Sequence, residues 1–289
     1  MERVAVTGSR GMVGQHMTAL LAAEQIDHIA LTRDDWDLSE WKELDELDAL
    51  FPGVNAIFHI GAKLPSHSSN IKRETQLLFD ANVRSCLNLS EWAHLRGVAL
   101  IFLSGATVYE NAHCIDIYED NPKVVCGFGG FYGYSKWLAE QVIQHYVEQG
   151  LNAVILRPSS VYGYGLDNAK MIQHYLDVAS TGGAIRIDQP TNRINFIHAI
   201  DVAKAALQAY EAKAWGVYNI AHPNPSSIVE LAETITKVCG SGVIELNNVS
   251  HDGFLRFNLN CTKARNAFSF SPTVSLEEGL KLMKLKQVI

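Results

Sequence analysis

The stretch that decides the fold is Val4-Ala5-Val6-Thr7-Gly8-Ser9-Arg10-Gly11-Met12-Val13-Gly14. A short apolar run leads directly into three glycines, and an amphipathic helical pattern follows them to residue 23. Gly8 permits a tight turn, Gly11 lets the backbone approach a pyrophosphate, and Gly14 allows the helix to pack closely on the strand. The helix N–H groups and the positive end of its dipole favour the same diphosphate. The stretch therefore predicts a dinucleotide-binding turn, with contacts from Gly8, Ser9, Arg10, Gly11, Met12 and Val13.

The rest of the chain continues this strand-and-helix alternation. Further strands are predicted at 28–31, 56–59, 99–103 and 153–156, with helical patterns at 12–23, 40–50, 74–95 and 132–149. Such alternation is typical of an α/β fold, a Rossmann-type doubly wound parallel sheet. The regular alternation of strand and helix patterns ends after residue 158. We therefore predict a dinucleotide-binding core at 1–160, to which 191–221 return, and a smaller C-terminal substrate-binding lobe made of 161–190 and 222–289.

The choice of dinucleotide depends on the end of the second predicted strand. An NAD site usually has Asp or Glu there to hold the ribose 2′-hydroxyl, whereas this chain has Thr32 followed by Arg33. Arg10, inside the glycine turn, is a second cation that can reach the same place. Guanidinium groups match phosphate geometry bidentately, so the pair favours NADP(H) over NAD(H). The alternative is that Arg33 is a solvated strand-end residue whose charge is offset by Asp34 and Asp35.

A phenol and an ammonium stand four residues apart in Tyr132-Gly-Tyr-Ser-Lys136, at a predicted helix start. Residues at positions i and i+4 of a helix lie on the same face. A neighbouring Lys⁺ favours phenolate and lowers the pKa of a tyrosine from its reference value of about 10. The spacing therefore makes Tyr132 a candidate proton donor or acceptor, with Lys136 as the partner that lowers its pKa.

Composition disfavours several classes of partner. The chain has 289 residues, of which 47% are hydrophobic and 19% charged, as is ordinary for a soluble enzyme. A net charge of −7 without a Lys/Arg run makes nucleic acid a poor partner. No apolar run reaches the ~18 residues of a membrane span, and the N-terminus lacks the layout of a signal peptide. We expect a cytoplasmic protein without a metal site, whose scattered cysteines are free thiols: Cys86, Cys114, Cys126, Cys239 and Cys261.

These motifs resemble the extended short-chain dehydrogenase/reductase family, in particular its nucleotide-sugar epimerases, dehydratases and reductases. The resemblance runs almost from end to end, and the motifs at 8–14 and 61–63 are most similar to the GDP-fucose synthase branch. Besides the glycine turn and the Tyr-Lys pair, the matching stretches are Phe58-His-Ile-Gly61-Ala62-Lys63, Leu156-Arg157-Pro158-Ser-Ser160-Val-Tyr162-Gly163, Asn195-Phe-Ile-His198, Gly216-Val-Tyr-Asn219 and Ser275-Leu-Glu-Glu-Gly279.

The resemblance implies a role for each matching residue. Tyr132 would exchange a proton with a sugar hydroxyl or ketone, and Lys136 would also hold the nicotinamide ribose. Adenine would lie against Asp37 and Leu38, which are expected after the third strand. The remaining cofactor contacts would be Gly61, Ala62, Lys63, Asn82, Ser104 and Pro158, and the substrate phosphates would meet Ser160 and Arg193. The usual assembly of the family implies a homodimer that uses the helices at 74–95 and 132–149.

One loop departs from the family pattern. The family has a Ser or Thr three residues before the Val-Tyr of the loop at 103–109, where its hydroxyl shares the substrate oxygen with the tyrosine, and this chain has Gly105 there. Thr107 is the candidate substitute, because it aligns with a substrate-facing residue of the GDP-fucose synthase branch, and Ser104 is the other flanking hydroxyl. Alternatively, Thr107 bonds to its own loop backbone and nothing replaces the donor, at a cost of roughly 2.7–4 kcal/mol of barrier.

The resemblance and the cofactor preference together imply an NADP(H)-dependent reductase of a keto group on a nucleotide-activated sugar, with Tyr132 as the proton donor. The chain lacks the Asp-Glu pair of the family's 4,6-dehydratases and the Cys and His of its 3,5-epimerases. Two alternatives stay open. One is a 4-epimerase that oxidises and re-reduces a single carbon, and the other is a catalytically weak NADP(H)-binding regulatory protein on the same fold.

Overall fold

The computed structural model describes residues 2–65, 71–123, 129–247 and 254–288, except for the side chains of 71–73. The strands are β1 (Arg3–Thr7), β2 (Asp27–Leu31), β3 (Ala56–His59), β4 (Ala99–Leu103), β5 (Ala153–Pro158), β6 (Ser160–Tyr162), β7 (Ala184–Ile187), β8 (Arg193–Ile194), β9 (Phe196–His198), β10 (Gly216–Ile220), β11 (Ser226–Ser227), β12 (Val243–Leu246) and β13 (Leu255–Arg256). The α-helices are α1 (Met12–Ala23), α2 (Leu44–Leu50), α3 (Ile71–Phe79), α4 (Ser85–Arg96), α5 (Gly130–Val147), α6 (Met171–Ser180), α7 (Ala199–Glu211), α8 (Ile228–Cys239), α9 (Thr262–Phe268) and α10 (Leu276–Lys284).

Six parallel strands form the central sheet, in the spatial order β10-β5-β4-β3-β1-β2. The central strands β3, β4 and β5 are buried almost throughout, as expected for a parallel sheet covered on both faces. The strand order reverses beside β1, which has β2 on one side and β3 on the other. Such sheets bind ligands at this reversal, outside the carboxyl ends of the strands. The predicted Rossmann-type fold is confirmed.

Side chains of β1 alternate between two apolar cores on opposite faces of the sheet. Val4 and Val6 pack in the same core as Met17 of α1 and the inner face of α7. Ala5 belongs to the other core, which contains Leu89 of α4 and the inner face of α5. Because strand side chains alternate with a period of two, this short apolar run serves both helix layers.

The helix predicted at 74–95 is part of a longer helical segment that runs from Ile71 to Arg96. A π-helical turn at Asp80–Arg84 interrupts it, and the sequence pattern did not indicate this turn. The Ser85 hydroxyl donates a 2.6 Å hydrogen bond to the Ala81 carbonyl oxygen within the turn. π turns are rare and are found frequently at functional sites.

Two helix starts differ from the predicted positions. The pattern at 40–50 becomes helical only at Leu44, because Glu43 caps the helix and its N–H donates 2.8 Å to the Glu46 carboxylate. Helix α5 begins at Gly130 rather than at Tyr132. Tyr132 and Lys136 therefore lie in the first two turns of α5, with one turn between them.

The segments predicted to form the smaller lobe contain small sheets of their own. In these sheets β8 lies between β11 and β13, and β7 pairs with β12. Residues 193–194 of β8, in the range predicted to return to the core, thus pair with strands of the predicted lobe, and the division into core and lobe stays a prediction. Helix α9 also packs on the core, through Ala264 and Phe268. Within the described ranges, no helix is long and apolar enough to cross a membrane.

Candidate active site

A cavity of about 690 Å³ lies at the carboxyl ends of the parallel strands, where the strand order reverses. Ligand pockets usually measure about 300–1,000 Å³. Most of the predicted cofactor residues line this one: Gly8, Arg10, Gly11, Met12, Val13, Arg33, Asp37, Leu38, Gly61, Ala62, Lys63, Ser104, Tyr132, Lys136 and Pro158. The structure thus brings together the glycine turn, the end of β2 and the Tyr-Lys pair, which are far apart in the sequence.

The glycine turn is built by close backbone approaches. Gly8 has a φ of +69°, and a Cβ placed on it would lie 2.5 Å from the Gly61 Cα. A Cβ on Gly14 would lie 2.1 Å from the Gly8 carbonyl oxygen. No described side chain caps the N-terminus of α1 at Gly11. The first N–H groups of α1 thus stay available at the cavity wall, which fits a bound diphosphate.

Ser9 and Asn82 support the cavity wall from behind and do not line it. The Ser9 hydroxyl donates 2.9 Å to the Leu31 carbonyl oxygen, which ties the glycine turn to β2. Asn82, in the π turn, accepts 2.8 Å from the Lys63 N–H and donates 3.0 Å to the Lys63 carbonyl oxygen. Its amide also donates 3.2 Å to the Ser135 hydroxyl. Their polar side chains are thus used in holding the wall together, and the direct cofactor contacts of Ser9 and Asn82 stay a prediction.

A buried polar chain anchors the same loop from the sheet side. The Gly61 N–H donates 3.3 Å to the Thr7 hydroxyl, which lies 2.7 Å from the His59 Nδ1. The Thr7 hydroxyl and the His59 Nδ1 share a hydrogen bond, and the His59 Nε2 lies 3.5 Å from the Ser85 hydroxyl on the other side of the ring. Burial, with the nearby charge of Lys136, lowers the pKa of His59 to about 3. His59 is thus neutral at ordinary pH and fixes the position of the loop.

Two arginines stand at the end of the cavity beyond β2. Arg10 Nη1 lies 2.7 Å from Asp34 Oδ2, and Arg33 Nε lies 3.1 Å from Asp37 Oδ2. Both guanidinium groups are largely exposed, and exposed ion pairs of this kind are weak. The Asp35 carboxylate accepts from the N–H and the hydroxyl of Thr32, and these bonds, with help from the charge of Arg10, hold the pKa of Asp35 below its usual range. A phosphate can therefore compete for Arg10 and Arg33 at little cost.

Asp37 and Leu38 follow β2, so the expectation that they follow the third strand is wrong. The strand alternation has only β1 and β2 before them. The Ser39 N–H, with help from the charge of Arg33, holds the pKa of Asp37 below its usual range. A Cβ on Gly61 would lie 2.9 Å from the Leu38 Cδ1, which shows how tightly this loop closes on the glycine loop after β3.

The Tyr-Lys pair differs from its predicted electrostatics. Burial raises the pKa of Tyr132 to about 12. The Lys136 ammonium donates 2.8 Å to the Leu103 carbonyl oxygen and lies 4.6 Å from the centre of the Phe102 ring. Burial lowers the pKa of Lys136 to about 8, although nearby Cys86 and Glu140 act in the opposite direction. In this arrangement burial outweighs any lowering of the Tyr132 pKa, so the phenol is protonated at neutral pH, and the effect of Lys136 on that pKa stays a prediction.

The two hydroxyls that flank Gly105 have different environments. The Ser104 hydroxyl donates 2.5 Å to the buried Glu140 carboxylate. The Thr107 Oγ1 is closed off from solvent and makes no hydrogen bond within the described residues. The alternative in which Thr107 bonds to its own loop backbone is therefore wrong. A Cβ on Gly133 would lie 2.3 Å from the Thr107 carbonyl oxygen, so Thr107 packs on the first turn of α5, which carries Tyr132.

The two predicted phosphate contacts of the substrate are not part of the cavity wall. Ser160 lies in β6, where its N–H donates 3.0 Å to the Asn195 carbonyl oxygen. Arg193 lies in β8, is exposed, and pairs with Glu230 at 3.5 Å and with the Pro225 carbonyl oxygen. The cavity wall also contains residues that the sequence did not indicate. Trp36 and Ile60 are direct neighbours of predicted residues, whereas Asp167 comes from the lobe and had no sequence signal.

Among the described residues, the cysteines and the other potential metal ligands are scattered. Within the described part of the chain, no group of three or more His, Cys, Asp or Glu side chains could hold a metal ion. Cys86, Cys114, Cys239 and Cys261 are free thiols. Cys126 lies outside the described residues. The polar groups of the cavity wall nearest the end of β4 are the Tyr132 phenol, the Lys136 ammonium and the Ser104 hydroxyl.

Comparison with known proteins agrees with this geometry. The family model described as the NAD dependent epimerase/dehydratase family matches residues 4–221. UDP-glucuronic acid decarboxylase 6 of Arabidopsis thaliana is 25% identical, over 98% of this chain and 88% of its own length. A dTDP-4-dehydro-6-deoxy-D-allose reductase of Streptomyces sp is 26% identical, over 82% of this chain and 81% of its own length. The crystal structure of UDP-N-acetylglucosamine 4-epimerase from Bacillus cereus superposes with a TM-score of 0.84 at 21% identity, over 99% of this chain and 96% of that one.

Proposed function

Because the chain belongs to the NAD dependent epimerase/dehydratase family, and is thus an NAD(P)-dependent enzyme of the extended short-chain dehydrogenase/reductase type, we propose that it reduces a keto group on a nucleotide-activated sugar with NADPH. The observation that carries this proposal is the position of Tyr132. It shares one cavity wall with the glycine turn and the two arginines, and burial keeps its phenol protonated.

Each side chain has a separate task in this reduction. The nicotinamide supplies the hydride when it is bound. Tyr132 gives its proton to the carbonyl oxygen. Thr107 donates a hydrogen bond to the same oxygen as negative charge develops there; because its hydroxyl is closed off from solvent and is not part of the cavity wall, the substrate has to displace its neighbours to reach it. Lys136 keeps the β4 end in place through Leu103 and offers its remaining N–H groups to the ribose hydroxyls. Because burial raises the pKa of Tyr132 to about 12, the phenol carries its proton at neutral pH and has one to give to the carbonyl oxygen.

The names of the relatives support the substrate class. One relative is a decarboxylase of UDP-glucuronic acid, and another is a reductase of dTDP-4-dehydro-6-deoxy-D-allose. Both of these substrates are sugars activated by a nucleoside diphosphate. Of these two relatives, the reductase has the reaction that needs a protonated phenol as proton donor and NADPH as hydride donor. We therefore take a 4-keto-6-deoxy sugar as the first substrate to test.

The preference for NADPH follows from the charges beyond β2. At the position where an acidic residue would repel a 2′-phosphate, the cavity wall has Thr32. The carboxylate of Asp35 accepts hydrogen bonds from the N–H and the hydroxyl of Thr32. Arg10 and Arg33 both reach the wall of the cavity. A 2′-phosphate placed between them would meet two guanidinium groups whose present partners are exposed and easily displaced.

Replacing Arg33 with alanine is expected to weaken NADPH binding by about 10-fold or more, as the loss of one charge-assisted contact of about 1.5–3 kcal/mol implies, and to leave NADH binding nearly unchanged. Fluorescence titration with each nucleotide measures both dissociation constants. Arg186→Ala is the matched control, because Arg186 is equally exposed and pairs with Glu245 at 3.0 Å in the lobe. An equal loss for NADPH and NADH in Arg33→Ala would contradict the assignment.

A direct assay tests the proposed function. The purified protein is incubated with NADPH and a panel of UDP-, GDP- and dTDP-linked 4-keto-6-deoxy sugars, and the nicotinamide absorbance is followed. We expect oxidation of NADPH with at least one of these sugars. Two results would refute the proposal: tight NADPH binding without turnover of any keto sugar, or conversion of UDP-glucuronic acid or of a UDP-hexose with NAD⁺ and no net change in absorbance.

We also propose that the protein is a homodimer. Its interface would be formed by the helical segment at 71–96 and by α5. An apolar groove between them is lined by Phe79, Val83, Leu87, Leu138 and Val142 among others. Phe79 is 40% exposed and Leu87 37% exposed, which is unusual for neighbouring large apolar side chains. Leu87→Glu should therefore yield a monomer in sedimentation velocity, whereas Leu285→Glu, at an exposed leucine far along the chain, should not. A dimer that survives Leu87→Glu unchanged would place the interface elsewhere.

A further inference from the structure

A buried ion pair lies directly behind the candidate active site. Glu140 follows Lys136 by one turn of α5, and Arg157 lies in β5. Their side chains are 2% and 3% exposed, and Arg157 Nη2 lies 2.6 Å from Glu140 Oε2. Arg157 Nε adds contacts of 3.0 and 3.2 Å to the two carboxylate oxygens. Such a pair is weak evidence for stability, because desolvation of the two charges offsets much of their attraction. Its other contacts indicate what it does.

Both ends of one loop are attached to this pair. At the first end, the Ser104 hydroxyl donates to Glu140 Oε1 at 2.5 Å. At the second end, Arg157 Nη1 donates to the Tyr109 hydroxyl at 3.0 Å. The Tyr109 hydroxyl donates in turn to Asn219 Oδ1 at 2.5 Å, which joins the loop to β10. Burial raises the pKa of Tyr109 to about 12, so this proton stays on the phenol. The loop at 104–109 is thus held at both ends. The Glu140 carboxylate can only accept a hydrogen bond and the Arg157 guanidinium can only donate one, so neither contact can reverse its direction.

Thr107 lies between the two attachment points. The intervening residues form a single 3₁₀ turn, in which the N–H of Val108 donates 3.2 Å to the Gly105 carbonyl oxygen. No hydrogen bond within the described residues holds the Thr107 hydroxyl itself. Its position therefore depends on how firmly Ser104 and Tyr109 are held. A catalytic donor that moves by about 1 Å can cost about 10²-fold in rate.

We propose that the Glu140–Arg157 ion pair is a positioning device for the loop at 104–109, which sets the Thr107 hydroxyl at the reacting carbonyl. Glu140 and Arg157 act through Ser104 and Tyr109 and are positioning residues. The inference rests on the proposed function of Thr107 as a donor to the keto oxygen. It adds that Thr107 replaces the hydroxyl that is missing at Gly105, and that the Glu140–Arg157 ion pair fixes the location of Thr107.

Tyr109→Phe tests the proposal without breaking the ion pair. It removes the attachment at the second end of the loop and keeps the aromatic ring. We expect kcat for the keto sugar to fall by roughly 10-fold up to about 10²-fold, with the KM for NADPH unchanged. Tyr162→Phe is the matched control, since Tyr162 is equally buried and its hydroxyl donates 3.3 Å to the Ser275 carbonyl oxygen in another part of the molecule. An equal fall in kcat for the two variants would overturn the proposal.

A double-mutant cycle separates positioning from a merely structural effect. If Tyr109 acts through the Thr107 hydroxyl, Tyr109→Phe should lower kcat in the wild-type background and have almost no effect in a Thr107→Val background. The same fold-loss in both backgrounds would overturn the proposed device and leave the proposed function intact. Ser104→Ala repeats the cycle from the first end of the loop, with the Kd for NADPH measured separately because Ser104 lines the cavity.

Hydrogen exchange distinguishes failure of this inference from failure of the proposed function. If wild-type protein turns over no keto sugar, the proposed function fails, and exchange at the amides of 105–109 still reports on the loop. Faster exchange at these amides in Tyr109→Phe than in Tyr162→Phe would support the attachment of the loop to the ion pair. Equal exchange in the two variants would overturn it.

Discussion

Replacing Tyr132 with phenylalanine is expected to lower kcat for keto-sugar reduction by about 10²–10⁴, the usual contribution of a positioned proton donor. The Kd for NADPH should stay nearly unchanged, because the aromatic ring remains in the cavity wall. The rate of the wild-type enzyme should also show no loss from deprotonation of this phenol across the neutral range. The donor is active in its protonated form, which persists below a pKa raised to about 12.

Tyr134→Phe is the control for this experiment. Tyr134 lies in the same helix two residues further on, where its ring contacts Phe131, and it is not part of the cavity wall. Steady-state kinetics of the two variants, with nucleotide titrations, separate loss of chemistry from loss of binding. Full activity in Tyr132→Phe would rule out Tyr132 as the donor, even if the wild-type protein reduces the sugar. A matching loss in Tyr134→Phe would indicate damage to α5 and not to the chemistry.

Thr107→Val is expected to make the protein more stable and less active. Burying a hydroxyl without a partner costs about 1–3 kcal/mol, and valine removes it with little change in shape. We therefore expect the free energy of unfolding to rise by about 1 kcal/mol. At the same time kcat should fall by about 10²–10³, the loss typical of one missing donor to a developing oxyanion. Thermal or denaturant unfolding and steady-state kinetics on the same preparation measure both effects.

Two further variants sharpen this test. Ser90→Ala removes another buried hydroxyl that has no hydrogen-bond partner in the described part of the chain, and Ser90 lies in α4 outside the cavity wall. It should stabilise the protein without changing kcat.

Gly105→Ser restores the hydroxyl that the family normally has. Gly105 has an extended backbone with a φ of −179°, and the atom nearest to a new Cβ is the Thr107 Oγ1 at 3.5 Å.

Gly105→Ser should thus rescue much of the activity of Thr107→Val and change that of the wild-type enzyme only slightly. Rescue of this kind would mean that one hydroxyl at this place is sufficient for the reaction. If Thr107→Val keeps full activity, Thr107 is not the donor. If Gly105→Ser instead raises wild-type kcat by about 10²-fold or more, the natural protein works without any second donor, and the role assigned to Thr107 is wrong.

Local patterns were sufficient to predict the sheet and the cofactor turn. Val4, Val6 and Ala5 alternate between two cores because the period of a strand is fixed by its backbone. Gly8 and Gly14 lie where any Cβ would meet backbone atoms, so only glycine suits both positions. By contrast, the π turn that carries Asn82 had no sequence signal. A π turn adds one residue to a single helical turn, and no residue type or spacing in this segment marks the place where it occurs.

The electrostatics of the site could not be predicted from spacing. Tyr132 and Lys136 are one turn apart, as expected, but the Lys136 ammonium bonds to the carbonyl oxygen of Leu103 on a different element. Burial therefore decides both pKa values: it raises that of Tyr132 and lowers that of Lys136. Spacing predicts which side chains share a face, whereas the depth of the site below the surface depends on every element packed around it.

By itself, the sequence determined the parallel sheet, the glycine turn, the Tyr-Lys pair and the replacement of a family hydroxyl by Gly105. These features depend on the backbone preferences of glycine and on the periods of strands and helices, which act over a few residues. Only the tertiary structure showed the different environments of Ser104 and Thr107. Glu140, 36 residues away in the chain, accepts a hydrogen bond from the Ser104 hydroxyl, whereas the Thr107 hydroxyl makes none within the described residues. Hydrogen bonds and burial of this kind are set by which distant elements pack together, and no local pattern specifies them.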